Sequence, residues 1–211
     1  MVGNIKHVIN RGIEKGRVFR DDNDYFRFVG NLYRLNNKNG ALRIVDRKLF
    51  TDPPTQAKLV DVLKWSLLPN HYHLLLYELV DGGITEFTKR IGNAYTKYIN
   101  IKNERSGYLF QNSAKIINVE SERHFLYLPI YIDLNPLDLF NPRWKEEKIK
   151  EQVAVDFLKK YRWSSFGDYF DEPHFPSVIN KDRFYEVMET SPSEYLSDFC
   201  GMIGDPSGLN I

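Results

Sequence analysis

A single cysteine, Cys200, stands in a chain of 211 residues. One thiol excludes an intramolecular disulfide and any cysteine-held metal cluster. No apolar stretch approaches the roughly eighteen residues that would cross a bilayer, and the start of the sequence lacks the charged-then-apolar pattern of a secretory leader. The expectation is a soluble, unsecreted protein of the cytoplasm that makes no membrane contact. Internal repeats and low-complexity segments are missing too. Net charge is nearly absent, at +1, which taken whole argues against a polyanionic ligand. What is plentiful is core material: 42% of residues are hydrophobic and 14% aromatic, enough for one domain, or one domain with an appendage.

The small net charge conceals a division. Residues 166–211 hold nine acidic residues against only Lys181 and Arg183, a net of −7, so residues 1–165 carry +8. A basic body with an acidic tail suits a polyanion far better than the whole-chain figure does. The aromatic content of the tail is too high for a disordered segment. It is expected to pack on the body, and from there it could occupy or screen a cationic groove. An acidic tail that only aids solubility is the alternative.

Hydrophobic periodicity orders the chain. Residues 5–10 read as a strand and 24–35 as an amphipathic helix with Tyr25, Phe28, Val29, Leu32 and Tyr33 on its apolar side. Residues 36–56 are turn-rich and charged around a short apolar run at 42–45, a loop or a short helix. Two strands, 58–68 and 71–78, are joined by a tight turn at Pro69-Asn70. Thr85 is a plausible cap for a helix running to about Ile101. A polar loop at 102–107, a strand over 114–119, a helix from Ser121 and another near 146–161 complete the pattern. The order β-α-β-β-α-β predicts an α+β, ferredoxin-like sandwich with a central antiparallel sheet, followed by a C-terminal helical extension.

Chemistry concentrates in two short runs. In Asn70-His71-Tyr72-His73, strand alternation sends His71 and His73 to one face and Tyr72 to the other. Two imidazoles on one face can ligate a divalent metal; they can equally be core histidines. In Tyr131-Ile132-Asp133-Leu134-Asn135-Pro136, Tyr131 and Asn135 share a helical face, and Pro136 biases the chain out of the helix. That face could supply a nucleophile and a third metal ligand together, or a core aromatic and a C-terminal cap. His7, His124 and His174 have no partner in sequence, and structural roles are expected of them.

Taken together these runs resemble the HUH single-tyrosine transposases, and among them the REP-associated tyrosine transposases. Further blocks carry the resemblance: His7-Val8-Ile9-Asn10-Arg11-Gly12, Phe19-Arg20-Asp21-Asp22, Leu68-Pro69 before the histidines, Gly107-Tyr108-Leu109-Phe110-Gln111, and Trp163-Ser164-Ser165. The ordered blocks run from about residue 7 to 165, which sets a transposase-like domain at 1–165 and the acidic extension at 166–211. Two departures stand out. Asn112-Ser113-Ala114-Lys115 replaces a Gly-Arg-(Phe/Tyr)-Lys run, and Pro129 lies inside the helix of Tyr131.

The resemblance implies an HUH endonuclease fold, a Mg²⁺ or Mn²⁺ ion on His71, His73 and Asn135, and Tyr131 as the nucleophile that cuts single-stranded DNA. It implies a 5′-phosphotyrosine intermediate, a free 3′-hydroxyl, a hairpin or palindromic DNA partner, and a monomer or homodimer. Arg11, Lys89, Arg90, Lys97 and Lys115 are candidates for phosphate contact, against ordinary solvated charge, and Tyr108 for stacking on a base. Tyr95 and Tyr98 are rival nucleophiles, but neither has an Asn or Gln four residues on. Three other readings stay open: a catalytically silent DNA- or RNA-binding module, a replication or mobilisation nickase, and an unrelated metal hydrolase that forms no covalent adduct.

Overall fold

The computed structural model describes residues 2–40, 57–119, 122–147 and 149–206, with 122–124 described by their backbone alone. Four strands make one antiparallel sheet: β1 (Ile5–Arg11), β2 (Val60–Leu68), β3 (His71–Glu78) and β4 (Lys115–Asn118), in the spatial order β2-β3-β1-β4. Helix α1 (Asp22–Arg34) connects β1 to β2, and α2 (Gly83–Lys102) connects β3 to β4. This is the ferredoxin-like α+β arrangement that the order of elements predicts. Helix α3 (Glu122–Leu134) follows the sheet and runs through Pro129. The helical C-terminal region then consists of α4 (Leu137–Phe140), α5 (Glu151–Lys160), α6 (Phe166–Tyr169), α7 (Lys181–Met188) and α8 (Pro192–Gly204). Among the described residues no helix is long and apolar enough to cross a membrane.

The two faces of the sheet are covered by different helices. Tyr72, Leu74 and Leu76 of β3 point toward α1 and α2, where Tyr72 meets Phe28 at 4.8 Å between ring centroids and Phe28 meets Tyr95. His71, His73 and Leu75 point the other way, under α3, which packs on β2 and β3. A strand covered on both faces and paired on both sides has few polar positions left. That explains the nearly continuous apolar run of β3 and makes its two histidines conspicuous.

Local chemistry sets the ends of the elements. The Asp21 side chain accepts from the Asp24 backbone N–H and caps α1, so the helix begins two residues before the stretch that periodicity marks. Thr85 does not cap α2: the N-cap is Gly82, at φ 72°, and the helix starts at Gly83. The left-handed backbone that turns the chain out of β3 is available to glycine without strain, and it decides the boundary. The β2–β3 turn is Pro69-Asn70, as expected, and it is pinned from outside: the Asn70 carbonyl accepts from Gly12 N–H and the Pro69 carbonyl from Val18 and Phe19 N–H. Gly12 must be small, since a Cβ there would lie 2.3 Å from the Gly16 carbonyl oxygen. The strand expected over 58–68 begins at Val60, the one over 114–119 is shorter, and the helix expected over 146–161 spans Glu151–Lys160. Most of the loop or short helix expected over 36–56 lies outside the described residues, as do Ser121 and the His124 side chain.

The open edge of β2 is closed by chain from about a hundred residues later. Leu67 N–H donates to the Trp163 carbonyl, Ser165 N–H to the Trp65 carbonyl, and Asn180 N–H to the Val62 carbonyl; the Tyr161 and Tyr169 hydroxyls donate to the Leu67 and Leu63 carbonyls. The Trp163-Ser164-Ser165 run thus continues the ladder where a fifth strand would stand. One cluster of buried side chains extends from Val8 through Phe166, Phe184, Tyr195 and Phe199, so the charge boundary near residue 165 is not a boundary in the core. The acidic segment contacts β2, α3 and α5, and pairs Asp171 with Lys159 and Glu186 with Arg183. Among the described residues Lys89, Lys97 and Lys115 have no ion-pair partner.

Beneath α3 lies a buried charge that alternation along β2 leaves inconspicuous. Lys64 is 0% exposed, its Nζ 2.7 Å from Asp133 Oδ2, and the same oxygen accepts the Tyr195 hydroxyl at 2.7 Å. The ammonium lies 3.5 Å and 4.3 Å from the ring centroids of Tyr169 and Tyr195. Burial pushes Lys64 down to about 8 against the pull of Asp133. The pair and its aromatic cage join β2, α3, α6 and α8 at one point.

Candidate active site

The strand register brings three histidines together. Ile9 of β1 lies opposite His73, and Arg11 opposite His71, so His7, diagonal to His73, shares its face. His7 Nε2 lies 2.8 Å from His73 Nδ1, with the two rings side by side, nearly coplanar, and their centroids 5.1 Å apart. The His71 and His73 rings are also 5.1 Å apart, edge to face. Asn70 Oδ1 lies 2.6 Å from His71 Nδ1. Each proposed ligand therefore has its Nδ1 engaged by a neighbour.

Helix α3 delivers the other two groups. The Tyr131 ring stands edge to face with His73 at 5.5 Å. Asn135 is buried; its Nδ2 lies 3.3 Å from the Tyr131 carbonyl oxygen, and its side chain lies near enough to the His71 imidazole to offset part of the downward shift of that ring. Asn135 is thus both a helix-end cap and a neighbour of the histidines. Pro136 does end α3, but the chain resumes at once as α4. The rival tyrosines are committed elsewhere: the buried Tyr95 donates its hydroxyl to the Val18 carbonyl, and Tyr98 donates to Asp24.

The donor set fits a divalent cation. Among the described residues no three His, Cys, Asp or Glu side chains gather into a metal-holding group, so the site depends on two imidazoles and an amide oxygen. His73 Nε2 is buried and has no hydrogen-bond partner among the described residues, as an unused ligand atom would be. Burial, then the Arg11 charge, holds His71 below the ordinary histidine range. Burial, then the neighbouring His7 and His71, holds His73 well below it. Neutral imidazole is the ligating form.

Those shifts predict acid sensitivity. The unfolded chain takes up protons on these histidines near pH ~6.5, above their folded values. Their contribution to stability is therefore complete above about 6.5 and is lost as the pH falls through that value toward the folded ones. The Tm of the metal-free protein should drop between about pH 7.5 and 5.5, each histidine costing up to ~1.4 kcal/mol per pH unit. His73→Leu should flatten the profile; an unchanged slope in that variant would remove His73 as the cause.

The candidate DNA contacts divide into three groups. Arg11 ends β1 beside His71, and Lys115 lies opposite Ile9 on the histidine face. Lys89 lines a groove of about 570 Å³ along α2, and Lys97 an adjoining one of about 560 Å³. Tyr108, 84% exposed, borders both. Arg90 is already satisfied within the chain, by Glu86 and the Asn37 carbonyl. Phe110 is core, packed against Tyr72.

Three residues at the site escaped sequence reasoning. His7 was legible as a histidine but not as a partner of His73. Asn70 read only as a turn residue. Lys145, with its Nζ 6.0 Å from the Tyr131 ring centroid, lies just before the helix expected near 146–161 and carried no reading of its own. A signal for His7 exists: once β1 and β3 are taken as neighbours, its parity with Ile9 and Arg11 sends it to one face with them. His174 has the structural role expected, its backbone N–H bonded to Asp168 and its ring to the Lys159 carbonyl.

No family model matches the chain, and no curated protein matches it. Among solved structures the chain is similar to one described as the REP-associated tyrosine transposase bound to a REP hairpin. The two are 14% identical, with a TM-score of 0.47, over 84% of this chain and 85% of that one.

Proposed function

We propose that this protein is a metal-dependent single-strand DNA endonuclease and strand transferase of the HUH single-tyrosine type, with Tyr131 as its nucleophile. The observation that carries this reading is the meeting of His71 and His73 with Tyr131 and Asn135 where β3 passes under α3. A phenol next to neutral imidazoles and an amide, with Arg11 close by, is the equipment for attack on a phosphodiester.

Tyr131 Oη loses its proton to solvent and forms a bond to phosphorus, the bond from phosphorus to the 3′-oxygen breaks, and that oxygen takes a proton from solvent and leaves as a 3′-hydroxyl. The product is a 5′-phosphotyrosine that retains the energy of the phosphodiester, so an incoming 3′-hydroxyl can rejoin the strand without a nucleoside triphosphate. The edge-to-face contact with His73 fixes the plane of the Tyr131 ring. His71, His73 and Asn135 would hold Mg²⁺ or Mn²⁺, which when bound would polarise a phosphate oxygen and stabilise the charge that develops on it. Arg11 would add a second positive charge at the same phosphate. Lys89, Lys97 and Lys115 would neutralise flanking phosphates, and Tyr108 would stack on an unpaired base, favouring single strands. A hairpin or palindromic element is the substrate this reading implies, met in the cytoplasm by a monomer or homodimer.

The test is adduct formation with a pool of randomised single strands labelled at the 3′ end, resolved on denaturing gels. The wild type should carry label in Mg²⁺ or Mn²⁺ and lose it in EDTA. His71→Ala and His73→Ala should each reduce the adduct at least a hundredfold, because losing one of three protein ligands leaves too weak a site. Labelling that persists undiminished in EDTA would refute the metal role and favour core histidines.

A further inference from the structure

We infer that His7 is a positioning residue for His73: it accepts the Nδ1 proton of His73 and so leaves Nε2 as a bare lone pair at the site. The inference rests on the proposed role of His73 as a ligand and adds the group that prepares it.

The argument is one of proton placement. His7 Nε2 and His73 Nδ1 are 2.8 Å apart and buried, so between two neutral rings one nitrogen donates and the other accepts. If His7 donated, His73 would carry its own proton on Nε2. That N–H would be buried with no acceptor among the described residues. A buried donor without a partner is rarer than an acceptor in the same position. If His73 donates instead, Nε2 carries only a lone pair, the form a cation needs. The two rings are within 13° of coplanar, so the lone pair of one nitrogen points along the N–H of the other.

His71 supplies an independent parallel. Asn70 donates from Nδ2 to the Lys15 carbonyl at 3.1 Å, which identifies the atom facing His71 Nδ1 as the amide oxygen. An amide oxygen only accepts, so His71 carries its proton on Nδ1 and its lone pair on Nε2. Two unrelated neighbours, an asparagine from the β2–β3 turn and a histidine from β1, impose one tautomer on both rings. Such fixing of imidazole orientation behind a metal is a general means of raising ligand strength.

The tautomers can be read without metal, from long-range ¹H–¹⁵N correlations of the histidine rings in labelled protein at neutral pH. His73 is expected as the Nδ1–H form in the wild type. His7→Gln, whose amide oxygen can accept, should preserve that form and keep Mn²⁺ affinity within a few-fold. His7→Leu, which cannot accept, should shift His73 toward the Nε2–H form and weaken Mn²⁺ binding about tenfold or more. An Nε2–H form in the wild type overturns the inference, as does a folded His7→Leu variant with unchanged tautomer and unchanged Mn²⁺ affinity. Should His7→Leu fail to fold, the wild-type tautomer and the His7→Gln variant still decide. A wild type that takes up no Mn²⁺ at all defeats the metal reading, while the tautomer comparison still decides whether His7 sets His73.

Discussion

Tyr131→Phe should abolish the covalent protein–DNA adduct and leave the rest of the protein in place. The substitution removes one oxygen. The ring that stands edge to face with His73 remains, and so does its packing. The Tyr131 hydroxyl has no hydrogen bond within the described chain, so no partner is stranded by its loss. Tm should therefore move little, and affinity for single-stranded DNA should stay within a few-fold. Adduct on denaturing gels should fall below detection, a loss of at least a thousandfold, since a nucleophile has no substitute within its own turn. If the Phe variant still becomes labelled, the nucleophile is another tyrosine. The committed hydroxyls of Tyr95 and Tyr98 make both poor candidates.

Asp133→Ala should be the most damaging single change to stability in the vicinity of the site. It leaves Lys64 fully buried with no carboxylate and takes the acceptor from the Tyr195 hydroxyl. Breaking one side of a buried pair costs about 3–5 kcal/mol, because the remaining charge is uncompensated. The aromatic rings around Nζ recover part of that at most. The double variant Lys64→Met, Asp133→Leu should regain most of the loss, since a matched apolar pair imposes no such penalty. The lysine also sets the sign of the pH dependence. Its folded pKa already lies below that of the unfolded chain and would fall further without Asp133. The contribution of such a group is lost as pH falls, so the deficit of Asp133→Ala should narrow as pH rises. Urea titration at two pH values measures both effects; a loss under about 1 kcal/mol would mean the ammonium is stabilised by something other than Asp133.

What the sequence disclosed and what it withheld divide along contact distance. The alternation of His71 and His73 and the helical spacing of Tyr131 and Asn135 are short-range patterns, and each survives as geometry. The amphipathic stripe of α1 is of the same kind. His7 meeting His73 depends on a register between strands more than sixty residues apart, which no local pattern specifies. Lys64 is a sharper case. A lysine midway along a strand reads as a solvent-facing position, yet Asp133, Tyr169 and Tyr195, all remote in sequence, close over it. At the start of α2 two local signals competed, and the positive φ of Gly82 prevailed over the capping preference of Thr85. The split of charge near residue 165 is real as composition but has no counterpart in packing, because aromatic burial ignores the sign of the surface.

The late chain laid along β2 has a consequence for how the molecule is made. A ribosome releases β2 long before residues 161–180, whose backbone and hydroxyl groups complete its edge. Until then the strand offers a row of open donors and acceptors, the usual template for pairing with a neighbouring chain. Contacts that span a hundred residues, such as Trp65 with Ser165, also form slowly, since a long loop must close first. Nascent chains halted at residue 165 should therefore be cut readily by protease and should recruit chaperones, whereas chains released at full length should resist digestion. The expected consequence is that residues 161–180 end this period of exposure when they dock, so that slowing their arrival should lower the yield of folded molecules.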